Sequence, residues 1–321
     1  MALFREEVDF GDAVRVAARE LGLHAQFVEK DYWVTETLRT LSYRYAGHFT
    51  FKGGTSLSKG YRLIERFSED IDILVVANAG DTRAQHERKL LEISEAVAAD
   101  LGLELTKDST PRRGWDASRA DLLTYRPEVS KTIETGLDEE GVLLETGFAG
   151  GEEPAEMVEI GALIWDGLEL ERSNYDDGQT FEVRALEPVR TCLEKICGLH
   201  HLATTMLEHP DLDVPRAGRH YWDIDRLLRD KGVRSRLEDR DGFEQMVADV
   251  ERISTRHFGG CTPRPEGGFA AGPAFDPPTE IRAQLNALYD AASVLLPTTG
   301  EAKWSSFGAV LNRISQSSEL L

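Results

Sequence analysis

Cysteine is scarce in this chain: Cys192, Cys197 and Cys261 are the only three in 321 residues. An odd and sparse set excludes a disulfide framework. Cys192 and Cys197 fall in a helical pattern and read as packing residues. His200 and His201 follow them, but no Cys/His spacing here matches a zinc site. Positive charge is also short, with 37 Lys and Arg against 57 Asp and Glu, for a net charge of −20. That balance argues against holding nucleic acid on a broad basic surface, and leaves room only for a local basic groove. It predicts good solubility and is compatible with docking onto a basic partner. Long apolar runs are missing too. No stretch approaches the roughly 18 uninterrupted apolar residues of a membrane span. The opening MALFREEVDFGD is acidic and has no apolar secretory core, so the expected location is the cytoplasm. Finally, neither GxxxxGK[ST] nor GxGxxG occurs, which excludes the two commonest glycine-rich nucleotide loops.

What is present divides at about residue 187. Residues 8–21 and 25–42 carry apolar side chains at helical spacing. HFTFKGG (48–54) reads as a short strand ending in a glycine turn. SLSKGYRLIERF (56–67) returns to helical spacing through Leu57, Tyr61 and Ile64, and DIDILVV (70–76) is a strand. An amphipathic helix over 84–101 closes at Gly102. Between about 103 and 183 come short apolar stretches separated by Gly, Asp and Pro: LELT, ADLLTYRPEV, GVLLETGF, EMVEIGALI and TFEVRAL. They read as strands of a mostly antiparallel or mixed sheet. After Pro188, at a helix first turn, the pattern is helical: 188–207, 218–230, 241–257, 279–295 and 304–316, with a Pro/Gly loop over 263–278. The expectation is an α+β domain over 1–187 and a helical domain over 188–321.

The stretch FKGGTSLSKGYRLIERFSEDIDILV (51–75) carries the chemistry. Side chains alternate along a strand, so Asp70 and Asp72 share one face while Ile71 and Ile73 pack on the other. Adjacent carboxylates repel unless a cation sits between them, and Mg²⁺ binds through one or two carboxylates plus substrate phosphates. A bare D-x-D is more often a solvated strand face. The upstream glycines shift that balance. Gly53 and Gly54 allow a tight turn and close approach to a ligand. Thr55, Ser56 and a following helix start offer hydroxyls and N–H groups to an anion.

These residues carry a resemblance. GGTSL followed by RFSEDIDI is similar to the signature of the nucleotidyltransferase superfamily that includes DNA polymerase beta. More closely, it resembles the AbiEii-type toxins of bacterial abortive-infection and toxin–antitoxin systems, together with the related MenT toxins. The long gap between Gly54 and Asp70 is typical of the toxin branch, and VEKDYWVTETL (28–38) resembles it as well. The likeness spreads over most of the chain and is thinnest beyond about 231. It implies a nucleotidyltransferase fold, a small mixed sheet with flanking helices followed by a helical C-terminal domain, with the active site in the cleft between.

The resemblance also implies roles. VLLETGFAGGEEP (142–154) places a third metal-binding acid at Glu145, where Asp is commoner in the superfamily; Glu134, Glu156 and Glu159 compete. LEPVRTCLEKICGLHHL places a phosphate-binding lysine at Lys195. RHYWDIDRLL places a last acid at Asp223, half-buried, with Asp225 as competitor. The alternatives are a surface strand glutamate, a solvated lysine and a structural salt bridge. Ser68, on the Asp70 face, and Arg66 are candidate phosphate contacts, although Arg66 also reads as a surface charge. Lys30 and Asp31 read as structural. One or two Mg²⁺ ions and an NTP are the implied cofactor and substrate. The implied acceptor is RNA, with the 3′ end of tRNA first, and Arg112, Arg113, Arg119, Arg126 and Lys131 form the local basic stretch. The implied partner is a cognate antitoxin, with no complex required. Two other classes stay open: a transferase acting on a protein hydroxyl, and a catalytically silent binding module.

Overall fold

The computed structural model describes residues 2–68, 70–77, 80–107, 117–130, 141–210, 212, 214, 217–257, 260–295 and 304–321. Two compact units emerge, one over Met1–Leu186 and the other over Glu187–Leu295 with Lys303–Leu321. Arg112, Arg113, Lys131 and Glu134 lie outside the described residues.

The first unit begins with α1 (Phe10–Leu21) and α2 (Ala25–Arg44). Gly22 ends α1 in the left-handed conformation that glycine reaches at no steric cost. The chain then makes β1 (Phe49–Lys52), the short turn α3 (Gly53–Thr55) with a π turn over Ser56–Gly60, and β2 (Asp70–Val75). Helix α4 (Arg83–Leu101) opens on a capping box between Thr82 and Gln85 and closes at left-handed Gly102. The strands β3 (Glu104–Thr106), β4 (Ser118–Thr124), β5 (Gly141–Gly147), β6 (Ala155–Ile160) and β7 (Phe181–Leu186) complete a seven-stranded sheet ordered β3-β4-β5-β2-β1-β7-β6. It is mixed. β2 runs parallel to β5 and β1 parallel to β7, while the other pairs are antiparallel.

Alternation along β2 decides what faces what. Ile71, Ile73 and Val75 join Val34, Leu38 and Leu41 of α2 and Leu90, Ile93 and Val97 of α4 in one buried cluster. Asp70 and Asp72 take the opposite parity, as period-two geometry requires. A second cluster gathers Phe4, Phe10 and Val14 against Tyr32, Ile164 and Trp165.

One expected helix is absent. Leu57, Tyr61 and Ile64 have helical spacing, yet the helical turn stops at Gly60 and residues 61–68 are irregular. Gly60 carries the entropy cost of glycine, and Arg62 sits at φ 55, a left-handed value incompatible with a continuing helix.

The second unit is helical among its described residues: α5 (Pro188–Glu208), α6 (Arg219–Leu227), α7 (Lys231–Glu238), α8 (Arg240–His257), α9 (Thr279–Ala291) and α10 (Phe307–Ser315). Pro188 occupies the first turn of α5, where its missing N–H costs nothing. Cys192 and Cys197 are buried in that helix as packing residues. Helix α7 was not expected from the sequence. Only Val233 and Leu237 mark its buried side, and its start depends on the Asp230 carboxylate accepting from the Val233 N–H at 2.9 Å. No helix among the described residues is long and apolar enough to cross a membrane.

Candidate active site

The sheet brings the expected acids together. Asp72 of β2 lies directly beside Glu145 of β5 in the parallel register, and beside Lys52 of β1 on its other flank. Asp70 is only 5% exposed. The Glu145 carboxyl is pushed up to about 7. Burial is the main cause, followed by the charge of Asp72, a hydrogen bond with it, and the charge of Asp70; Lys52 opposes the shift. Glu145 therefore keeps its proton into the neutral range and hydrogen-bonds Asp72. The competitors Glu156 and Glu159 are exposed on β6, at the sheet edge and separated from β2 by β1 and β7.

The two glycines make this approach possible. Gly53 has φ 79, and a Cβ there would lie 2.0 Å from Asp72 Oδ2. A Cβ on Gly54 would lie 2.7 Å from both Arg66 Nη2 and Ser68 Oγ. Each glycine thus admits polar side chains against the turn. Gly53→Ala faces both strain and overlap, so Asp72 must move; transfer activity is expected to fall about 100-fold or more, as for misplacement near 1 Å. A steady-state assay of the soluble variant checks this, and wild-type turnover would separate the turn from the chemistry.

The hydroxyls of the turn make internal hydrogen bonds. Thr55 and Ser56 are both buried. Thr55 Oγ1 donates to the Asp70 carbonyl, and Ser56 Oγ donates to the Gly53 carbonyl at 2.9 Å. Their protons brace the turn. The short helical turn also offers less dipole than a full helix start. Arg66 is no surface charge: it is 2% exposed and donates to the Phe67 carbonyl at 3.0 Å. Asp31 is structural, accepting from Lys59 Nζ at 2.6 Å and from the Leu163 N–H at 2.7 Å, and Lys30 is buried beside it in α2.

The donor set suits the cation that the chemistry implies. Asp70, Asp72 and Glu145 supply oxygen alone, the set preferred by a hard divalent ion such as Mg²⁺. Among the described residues no three acid, histidine or cysteine side chains converge as a finished metal cage. The residue types and their register fit a divalent cation.

In the second unit Lys195 of α5 is buried, with Nζ 2.9 Å from Asp223 Oδ2 on α6. The solvated-lysine alternative fails, and Asp223 is fully buried instead of half-buried. His220 Nδ1 lies 3.2 Å from the same Nζ. It was missed in the sequence, where its only signal is its position three residues before Asp223. Asp225 is a structural acid, gripped by Arg229 at 2.6 Å and by Arg313 at 2.7 Å. In the basic stretch, Arg119 forms a two-pronged pair with buried Asp121 at 2.7 and 2.8 Å, while Arg126 is exposed.

Comparison with known proteins adds two findings. Residues 38–311 match the family model described as nucleotidyl transferase AbiEii toxin, type IV TA system. Among solved structures, the chain is similar to MenT4, the nucleotidyltransferase toxin Rv2826c from Mycobacterium tuberculosis H37Rv. The TM-score is 0.59 at 17% identity, over 96% of this chain and 88% of that one. At that identity the likeness speaks for the mixed-sheet fold. No curated protein matches the chain.

Proposed function

This chain belongs to the AbiEii nucleotidyltransferase toxin family, and from that premise we propose that it transfers a nucleoside monophosphate from an NTP to RNA, at the 3′ end of tRNA, and so blocks translation. Membership in a type IV toxin–antitoxin class implies an antitoxin partner. In the proposed reaction an acceptor hydroxyl loses its proton to solvent and attacks the α-phosphorus, the bond from that phosphorus to the oxygen bridging the β-phosphate breaks, and pyrophosphate leaves. Little covalent work falls to the protein in such transfers; positioning and charge compensation dominate.

The observation that carries the proposal is the placement of Asp72 beside Glu145 and against Gly53. Asp70, Asp72 and Glu145 would hold Mg²⁺, which when bound neutralises phosphate charge and favours the reactive form of the hydroxyl. The Glu145 proton must leave before that carboxylate serves as a full oxygen donor. Ser68 and Arg66, together with backbone N–H groups of the glycine turn, are the proposed phosphate contacts. Lys195 is proposed as a phosphate-binding cation, with Asp223 and His220 aiming its ammonium. Arg126 is the exposed member of the proposed RNA contacts.

The direct test supplies each labelled NTP separately, with Mg²⁺, to purified tRNA and to total lysate. Label entering the 3′ end of tRNA is the expected outcome. Label in protein alone would move the acceptor to a protein hydroxyl, and no label in either would leave the transferase proposal without support. For Lys195→Ala, loss of a charge-assisted contact in a buried setting costs about 1.5–3 kcal/mol, or roughly 10- to 100-fold. The expected defect lies in NTP use under saturating RNA, with RNA binding little changed. Unchanged NTP kinetics would make the Lys195–Asp223 pair purely structural.

A further inference from the structure

The row that holds Asp72 and Glu145 contains a third charged side chain. Lys52 pairs with Asp72 across β1 and β2, Asp72 with Glu145 across β2 and β5, and Glu145 with Ala120 across β5 and β4. Partners in register stand on one face of a sheet. Lys52 therefore flanks Asp72 on the side away from Glu145, at one strand spacing of about 4.8 Å. Alternation agrees. Phe51 is buried in the cluster with α2 and α4 side chains, so half-buried Lys52 points the other way.

The backbone fixes this placement. Lys52 is the last residue of β1, extended at φ −144 and ψ −171, and the turn begins at Gly53, against which Asp72 packs. The ammonium is thus carried on a regular strand, the kind of element that positions a group most precisely. It stands between the acid row and the glycine turn. Its charge acts across two strands, opposing the rise of the Glu145 carboxyl.

We propose that Lys52 is a catalytic residue, its ammonium contacting a nonbridging oxygen of the NTP α-phosphate and stabilising charge there as the acceptor attacks. This rests on the nucleotidyl-transfer reading and adds a group to the same site. Position argues for the α-phosphate over the departing pyrophosphate. The oxygen donors for a cation are Asp72 and its neighbours, so the reacting phosphorus has to lie over them. Lys52 adjoins Asp72 itself, and its flexible four-carbon stem carries a compact charge across one strand spacing. Before substrate arrives, that charge offsets part of the repulsion among Asp70, Asp72 and Glu145. Lys52 keeps its protons throughout. The acceptor oxygen bonds to the α-phosphorus, its proton goes to solvent, and the electron pair of the broken bond leaves on pyrophosphate.

The test uses the full-length protein, Mg²⁺, tRNA, the NTP that transfers best, and the two diastereomers of that NTP with sulfur at a nonbridging α-position. At saturating NTP, Lys52→Gln should lower the transfer rate about 100-fold or more, and Lys52→Arg should recover about tenfold of that by restoring the charge. Equilibrium binding of the α,β-methylene NTP, which cannot transfer, should weaken by less than about tenfold, because the contact matters most in the transition state. Sulfur accepts a charge-assisted hydrogen bond poorly, so the wild-type protein should be slowed by each diastereomer. Lys52→Gln should lose about tenfold of that slowing with one diastereomer and keep it with the other. Cooperative melting checks the fold, and each sulfur ratio compares two substrates on one protein, whatever fraction of it folds. Wild-type rates in Lys52→Gln overturn the proposal, as does a rate loss fully matched by weaker binding of the analogue. Unchanged sulfur ratios with both diastereomers would make Lys52 a structural counter-ion and overturn it too. Each of those results leaves the transfer reading standing; absence of transfer by the wild-type protein would overturn both.

Discussion

Asp72→Asn is expected to reduce nucleotidyl transfer about 1,000-fold or more, a barrier increase of roughly 4 kcal/mol, with the fold intact. The substitution keeps the shape that fits against Gly53 and removes one of three neighbouring acids. Removing a repelling charge from a crowded site should not destabilise the protein in the absence of metal. It does remove an oxygen donor that a divalent cation needs, and the amide that takes the place of the carboxylate becomes a hydrogen-bond donor to Glu145. Asp70→Asn should behave alike, since Asp70 shares the strand face and is buried. Glu156→Gln, on the exposed face of edge strand β6, is the control and should retain wild-type rates. Single-turnover transfer with each soluble variant, in Mg²⁺, makes the measurement. Full activity in both aspartate variants would remove this site from the chemistry altogether.

The same variants extend to cells. Expression without an antitoxin should stop growth, and Asp72→Asn at matched soluble level should not. Because an enzyme turns over, modest amounts suffice, whereas toxicity from a sticky surface would be shared by the variant. Equal inhibition by both proteins would separate toxicity from transfer.

Period-two alternation made Asp70 and Asp72 legible as a pair from residues alone, because strand geometry leaves no other choice once Ile71 and Ile73 are placed in the core. Glu145 needed more. Its place beside Asp72 depends on β5 pairing with β2 in parallel, a long-range choice that no local spacing encodes; only family likeness pointed to it. The turn after Gly53 was half legible. Two glycines announced it, but the hydroxyls of Thr55 and Ser56 turn inward to satisfy backbone carbonyls, a competition that sequence does not resolve. The missing helix over 61–67 has a similar origin: apolar spacing favoured it, while Gly60 and left-handed Arg62 end it. Lys195, like Glu145, needed the family likeness. Family likeness marked it as a phosphate-binding lysine with a solvated surface lysine as the alternative, and Asp223 and His220 meet it inside the unit, a pairing that allows its burial.

Glu145→Gln is expected to act in opposite directions on activity and on stability. Transfer should fall about 100-fold or more, since a neutral amide replaces a carboxylate oxygen donor in the three-acid set. Stability of the metal-free protein at pH 8 should rise. The sign follows from proton binding. In the folded chain the Glu145 carboxyl is pushed up to about 7 by burial and by Asp72 and Asp70, from an ordinary value of 4.5. Between those two values the folded state holds more protons than the unfolded state, so unfolding free energy falls as pH rises. The favourable contribution is complete below about 4.5 and is lost as pH passes 7. Allowing for partial exposure of the site, the penalty at pH 8 is about 1–3 kcal/mol. Gln cannot ionise, keeps most of the shape, and can still hydrogen-bond Asp72. Urea unfolding in EDTA at pH 5 and pH 8 measures it: the wild-type protein should lose stability between the two, and the variant should lose less by that amount. Adding Mg²⁺ at pH 8 should restore stability to the wild-type protein and much less to the variant, because a bound cation takes over the role of the proton. Identical pH dependence in both proteins would show that the surroundings of Glu145 do not raise its carboxyl.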